Sequence, residues 1–239
     1  AGFLAKDSKI KQRNLRKIFI EKIADQASLE QMLASKESNP DERNIALNTL
    51  LENAIVQQDY KTFIQNFKYV PQNAAEYQGY SSKNKAYQDQ PPLSIFVWQG
   101  KKISPEIQCY SLLSTVTQLS KDSNDRLANI CLGEAIRETG HFLDIFTTEN
   151  QPDILGEVKK SSKGQIFYRG TVYQNIIKES QPSELQAYAL YRAIQCYAPT
   201  GTNECGDEAV SKAIRKQWFQ KLKTQYPNTT WAKSLKYYW

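Results

Sequence analysis

Four cysteines and one histidine hold most of the side-chain chemistry available to this 239-residue chain. Cys196 and Cys205 bracket CYAPTGTNEC, a polar stretch with Pro and Gly between two helical segments. A disulfide there would close a short loop and contribute about 2–3 kcal/mol by loop entropy. Cys109 and Cys131 fall on the inward stripes of two consecutive helices that flank a turn near residue 122. Counting outward from that turn gives 13 positions on one side and 9 on the other. The difference is about one helical turn, roughly 6 Å, so a bridge requires staggered helices. The alternative is four reduced cysteines, two of them simply buried. Spacings of x21, x64 and x8 contain no C-x-x-C pair, so no metal site is expected.

Acid–base chemistry is constrained as tightly. Glu138-Thr-Gly-His141 matches the Glu-x-x-His of carboxylate-bridged di-iron bundles, but such a site takes two copies and two histidines. His141 therefore reads as a solvated turn residue. Glu134, Glu138 and Asp144 supply carboxylates for a glycosidase pair, which needs a defined separation across a cleft. At helical spacing they read instead as a solvated acidic face. KSSKGQIFYRG has neither G-x-G-x-x-G nor the Walker spacing. Asn228-Thr229-Thr230 is a formal glycosylation sequon that coincides with a helix cap. No catalytic residue and no cofactor is expected, and the chain reads as a protein without enzymatic activity.

The richest surface is the basic, aromatic C-terminus. Partner-binding candidates are Trp218, Lys221, Trp231, Lys236, Tyr237 and Trp239, with Arg215, Lys216, Lys223, Lys233 and Tyr238 among them. Rings over a cationic groove can stack on single-stranded nucleic acid. The same residues serve as a terminal helical cap, with Trp218, Trp231 and Tyr238 filling the last groove and the lysines solvating its outer face. A protein or membrane-surface contact is the intermediate reading, and nucleic acid is disfavoured. The formal charge of +6, spread over the whole length, is mild.

The elements that must position these residues are helical. Ten Gly and nine Pro are about 8% of the chain, too few turn formers for a sandwich or barrel. A basic amphipathic helix is expected from about Ser8 to Ala24, and Ser28 with Gln31 has capping-box spacing. Asn39-Pro40-Asp41-Glu42 is the clearest helix start, followed by Leu47, Leu50, Leu51, Ala54 and Ile55 on one stripe. Asp59 caps a partner helix with Tyr60, Phe63 and Phe67, making an αα-hairpin. Residues 72–92 lose periodicity, and the following LSIFVW is the only strand-like run. Ile95, Val97 and Trp98 are expected to dock on the helices. Ser104-Pro105-Glu106 reads as a helix start, with Cys109, Leu112, Leu113 and Val116 as its stripe. Asp122 or Ser123 starts the next helix, with Leu127, Ile130, Cys131 and Ala135 inward. Further helices are expected over Gly170–Glu179, from Ser183 to Tyr197, from Asp207 to Tyr226, and after a cap at Asn228 or Thr229.

At NICLGEAIRETGHF, Leu132-Gly133, Ile136, Gly140 and Phe142 resemble the tetratricopeptide pattern. Residues 47–67 resemble the same unit more loosely, and Ala187, Leu190 and Ile194 share its spacing. The aromatic at the family's first position is missing, and the copies are not spaced by 34 residues. Tyr226-Pro227-Asn228 followed by Trp231-Ala232 is similar to helix junctions in outer-membrane assembly lipoproteins of the bacterial envelope. The resemblance implies an all-α, irregular tetratricopeptide-like αα solenoid of antiparallel helix pairs. Its parts are N-terminal helical pairs over 1–71, an insert or linker over 72–100, and a tetratricopeptide-like region over 101–239. It further implies a non-enzymatic protein-binding or scaffolding module, periplasmic or attached to the outer membrane, holding a protein or peptide segment. The alternatives are the helical superstructure of a glycan-cleaving envelope enzyme and a cytosolic nucleic-acid-binding regulator.

Overall fold

Apolar residues at helical spacing, interrupted by capping side chains, fold here into a mostly helical, all-α chain. The computed structural model describes residues 13–78, 90–139, 166–197 and 203–238. The chain divides into two compact units, one running to Trp98 and the other built from residues 99–138 and 167–239.

In the first unit, α1 (Arg13–Ile18) runs into a π-turn over Phe19–Ile23. Then come α2 (Gln26–Ala34), α3 (Pro40–Val56) and α4 (Tyr60–Asn66). The starts of α2, α3 and α4 each have a side-chain cap that answers an orphan amide. Asn39 accepts from Asp41 N with Pro40 in the first turn, and Asp59 accepts from Thr62 N, both as expected. At α2 the cap is Asp25, which accepts from Ser28 N, three residues earlier than the Ser28–Gln31 box implies. A carboxylate is at least as good a cap as a hydroxyl, and it begins the helix where Leu29 and Leu33 both reach the core.

LSIFVW is not a strand. Leu93–Val97 forms a 3-10 helix that buries Leu93, Ile95 and Phe96, while Val97 and Trp98 are half-buried. Three residues per turn set Leu93 above Phe96, so Phe96 takes the inward place expected of Val97. Its ring centroid lies 6.1 Å from that of Phe63 on α4. Residues 79–89 of the preceding segment, with Tyr80 and Tyr87, lie outside the described residues.

The second unit opens with an antiparallel hairpin, β1 (Lys101–Lys102) against β2 (Gln108–Cys109). Ser104-Pro105-Glu106 is the turn of that hairpin and not a helix start. Pro favours the second position of a β-turn as readily as the first turn of a helix. Here Ile107 N donates to Ser104 O and Ile103 N to Ile107 O, which closes the turn. Gly100 enters it at φ +83°, and a Cβ there would strike the Cys109 carbonyl.

Helices α5 (Leu112–Lys121), α6 (Arg126–Thr139), α7 (Arg169–Ile177), α8 (Glu184–Cys196), α9 (Lys212–Gln225) and α10 (Thr230–Ser234) follow. Asp125 caps α6 by accepting from Ala128 N. Ser183 and Thr229 cap α8 and α10 as the spacing predicts. Ser211, not Asp207, caps α9, because Asp207 is held four residues earlier by Tyr197 and Thr171.

Helix α8 is the spine of this unit and packs on α7, α9 and α10. Its first turn meets the last turns of both neighbours through one buried side chain. Gln186 Nε2 donates to the carbonyls of Ile176, Ile177 and Glu179, and its Oε1 accepts from the Tyr226 hydroxyl. Lys221 Nζ donates to Ile177 O from α9 at 2.8 Å. The C-terminal carbonyls of α7 thus receive side-chain donors from two other helices.

Candidate functional site

The most concentrated group of titratable side chains surrounds Glu134 on α6. Cys131, Ala135 and Ile130 turn that part of the helix into the core and carry Glu134 with them, to 0% exposure. A bare carboxylate there would cost several kcal/mol. Three cations answer it. Arg137, one turn on, places its guanidinium nitrogens 3.1 and 2.7 Å from Oε2. Lys101 reaches the same oxygen from β1 at 3.4 Å and Glu138 at 2.6 Å. Arg192 comes from α8, its Nε 3.2 Å from Oε1.

The two oxygens differ. Oε2 is saturated, whereas Oε1 and Arg192 Nε are in ion-pair contact without a hydrogen bond between them. The Tyr173 hydroxyl, on α7, is also buried without a hydrogen-bond partner. Burial by itself pushes the Glu134 carboxyl up, but the Arg137 hydrogen bonds and the Arg192 and Arg137 charges outweigh it and hold it below the ordinary carboxylate value. Burial pushes the neighbouring Tyr188 phenol far up, and the Glu134 charge adds to that. Tyr173 is raised for the same leading reason.

An ionised carboxylate under three cations has no proton to give near neutral pH, so general-acid work does not suit it. What it does is mechanical. It ties the hairpin, α6 and α8 together at one buried point. The expected solvated acidic face is therefore corrected for Glu134, which is buried and paired. Glu138 is the partly exposed member of the same cluster, while Asp144 and His141 lie outside the described residues.

Lys101, Arg137, Arg192, Tyr173 and Tyr188 were not singled out in the sequence. One signal was available: Glu134 interrupts the apolar run of α6 three residues before Arg137. The cations from β1 and α8 carry no such local mark.

No family model, curated protein or solved structure matches this chain.

Both cysteine pairs are joined, Cys109 to Cys131 and Cys196 to Cys205, with Cα atoms 5.3 and 5.2 Å apart. Cys109 lies on β2, not on a helix, so the stagger required of two helices does not arise. Disulfides form and persist in oxidising compartments, which places this chain outside a reducing cytosol. Among the described residues, no group of His, Cys, Asp and Glu is arranged to hold a metal ion. No described helix is long and apolar enough to cross a membrane.

The C-terminal candidates separate into two sets. Trp218 packs its ring 5.9 Å from Tyr197. Trp231 packs 4.9 Å from Tyr188 and 5.5 Å from Tyr191, and donates to Glu184. Lys221 points inward to Ile177 O. Lys236 and Tyr237 are exposed, Tyr237 at 66%, and Trp239 lies outside the described residues.

Proposed function

We propose that this chain is a non-enzymatic protein-binding or scaffolding module of the bacterial cell envelope, working in the periplasm on an irregular tetratricopeptide-like αα solenoid. The observation that carries this reading is the packing around α8. Gln186, at the start of α8, meets the end of α7, while Tyr197, just past its end, accepts from Gln174 of α7. Tyr226, following α9, returns to Gln186. This packing supports helices that reverse direction and share one core, the arrangement by which αα repeats build a binding face.

One further feature supports it. The disulfides fit an oxidising envelope compartment and count against the cytosolic alternative. Gly133 faces Arg169 of α7 at the position of the small residue after Leu in the tetratricopeptide pattern, but a Cβ there would meet Arg169 Cγ at an ordinary 3.5 Å, so the contact does not require glycine.

The test is site-specific photocrosslinking of the full-length protein in its native envelope. A crosslinker replaces either Tyr110 or Tyr237, two exposed rings. A discrete protein adduct from at least one position is expected. Absence of any adduct, together with release of soluble glycan fragments from purified envelopes, would overturn the reading in favour of an enzyme.

A further inference from the structure

The positive charge of this chain is not spread evenly. Residues 211–239 hold seven of the 31 Lys and Arg and none of the 25 Asp and Glu. The other 210 residues carry 24 cations against 25 acids, so the whole excess resides in the last two helices and their flanks.

The fold turns Arg215 and Lys221 inward and leaves other lysines of this segment at the surface. Lys212, Lys216, Phe219 and Lys223 recur at i, i+4, i+7 and i+11, a single stripe along α9. The chain then turns at Pro227 and comes back beside this stripe. Lys223 donates to the Ala232 carbonyl, and the Phe219 ring lies 5.5 Å from that of Tyr238. These contacts lay Lys233, Lys236 and Tyr237 beside the Phe219–Lys223 part of α9, with Lys216 about one turn and Lys212 about two turns beyond Phe219 on the same helix. Lys212, Lys216, Lys233, Lys236 and Tyr237 are exposed, and none of these four lysines has an ion-pair partner among the described residues. Glu184, the acid that reaches α10, is engaged by the Trp231 indole.

We propose that this face, Lys212, Lys216, Lys233, Lys236 and Tyr237, docks on the surface of an anionic lipid bilayer. The Phe219 and Tyr238 rings pack on each other across the seam between α9 and the returning chain. What remains is a set of lysines and one ring that a broad anionic plane engages together. Lysine stems and a tyrosine ring suit the headgroup layer, where apolar stems lie against lipid and polar tips stay wet. Nucleic acid is the other common polyanion, but the two disulfides point away from the compartments that hold it. The proposal stands on charge and geometry and does not rest on the protein-binding reading.

The experiment is flotation of the full-length chain with vesicles of phosphatidylcholine alone or of equimolar phosphatidylcholine and phosphatidylglycerol. Binding is expected only to the anionic vesicles. It should vanish as salt rises from about 0.01 M to about 1 M and the screening length falls from about 30 Å to about 3 Å. Lys212→Glu/Lys216→Glu/Lys236→Glu should weaken it by about 100-fold, roughly fivefold or more for each lysine. A control triple, Lys36→Glu/Lys121→Glu/Lys178→Glu, makes the same change in net charge at exposed sites elsewhere. It should stay within about threefold of the parent. No binding to anionic vesicles, an equal loss in both triples, or binding to a single-stranded oligonucleotide or polyglutamate but not to vesicles would each overturn the proposal. Vesicle binding that fails while the photocrosslink forms removes this proposal alone.

Discussion

Arg192 Nε sits 3.2 Å from Oε1 of Glu134, both atoms buried and neither in a hydrogen bond. The contact joins the spine helix α8 to α6, and Arg137 and Lys101 hold the other oxygen of the same carboxylate. A buried charge of this kind specifies one arrangement of its neighbours more than it adds stability. Removing one partner still leaves the others without compensation.

Glu134→Gln should therefore destabilise the fold by about 3 kcal/mol or more, read as a lower midpoint in urea. The pH dependence has a fixed sign. Burial opposes ionisation of Glu134, but its arginines prevail, so its folded value lies below the ordinary 4.5. Its contribution is present above that pH and disappears as pH falls through the folded value. The parent should lose stability on acidification more steeply than Glu134→Gln.

The disulfides make a separate prediction. Titration of the denatured, unreduced protein should find no free thiol, and reduction should release four. The paired serine variants of Cys109/Cys131 and of Cys196/Cys205 should each lose about 3 kcal/mol, since the loops they close are of similar entropy. Free thiols in the unreduced protein would contradict the structure.

Gln186 is expected to be among the most sensitive uncharged polar positions. Gln186→Met keeps the length and removes every hydrogen bond, leaving the end of α7 and the Tyr226 hydroxyl without it. A loss of about 3 kcal/mol in thermal or urea unfolding is expected. A loss below about 1 kcal/mol would show that Lys221 alone satisfies the end of α7.

Spectrophotometric titration of the phenols should resolve a buried class. Burial raises Tyr60, Tyr173, Tyr188 and Tyr197 above the ordinary value of 10. Above that pH the unfolded chain loses protons the folded one keeps, so stability falls as pH rises. These four should ionise together with alkaline unfolding.

The sequence by itself determined the helical character and four helix starts, and it offered both cysteine pairings beside the alternative of reduced thiols. Those features depend on neighbours in the chain. Asn39-Pro40, Asp59, Ser183 and Thr229 cap the amides next to them, and Cys196 and Cys205 bracket a short polar loop. Where one local signal served two structures, it misled. Ser104-Pro105 suits a helix start or a β-turn, and only closure of the hairpin from Ile103 to Ile107 selected the turn. LSIFVW has the composition of a strand, but with no strand beside it among the described residues it forms a 3-10 helix whose Phe96 packs on Phe63. Tertiary structure alone decided the Glu134 cluster. Lys101, Arg137 and Arg192 come from a strand and two helices, and an unpaired pattern of charges does not say which will meet. The cost of burying a carboxylate is what draws them to the same point.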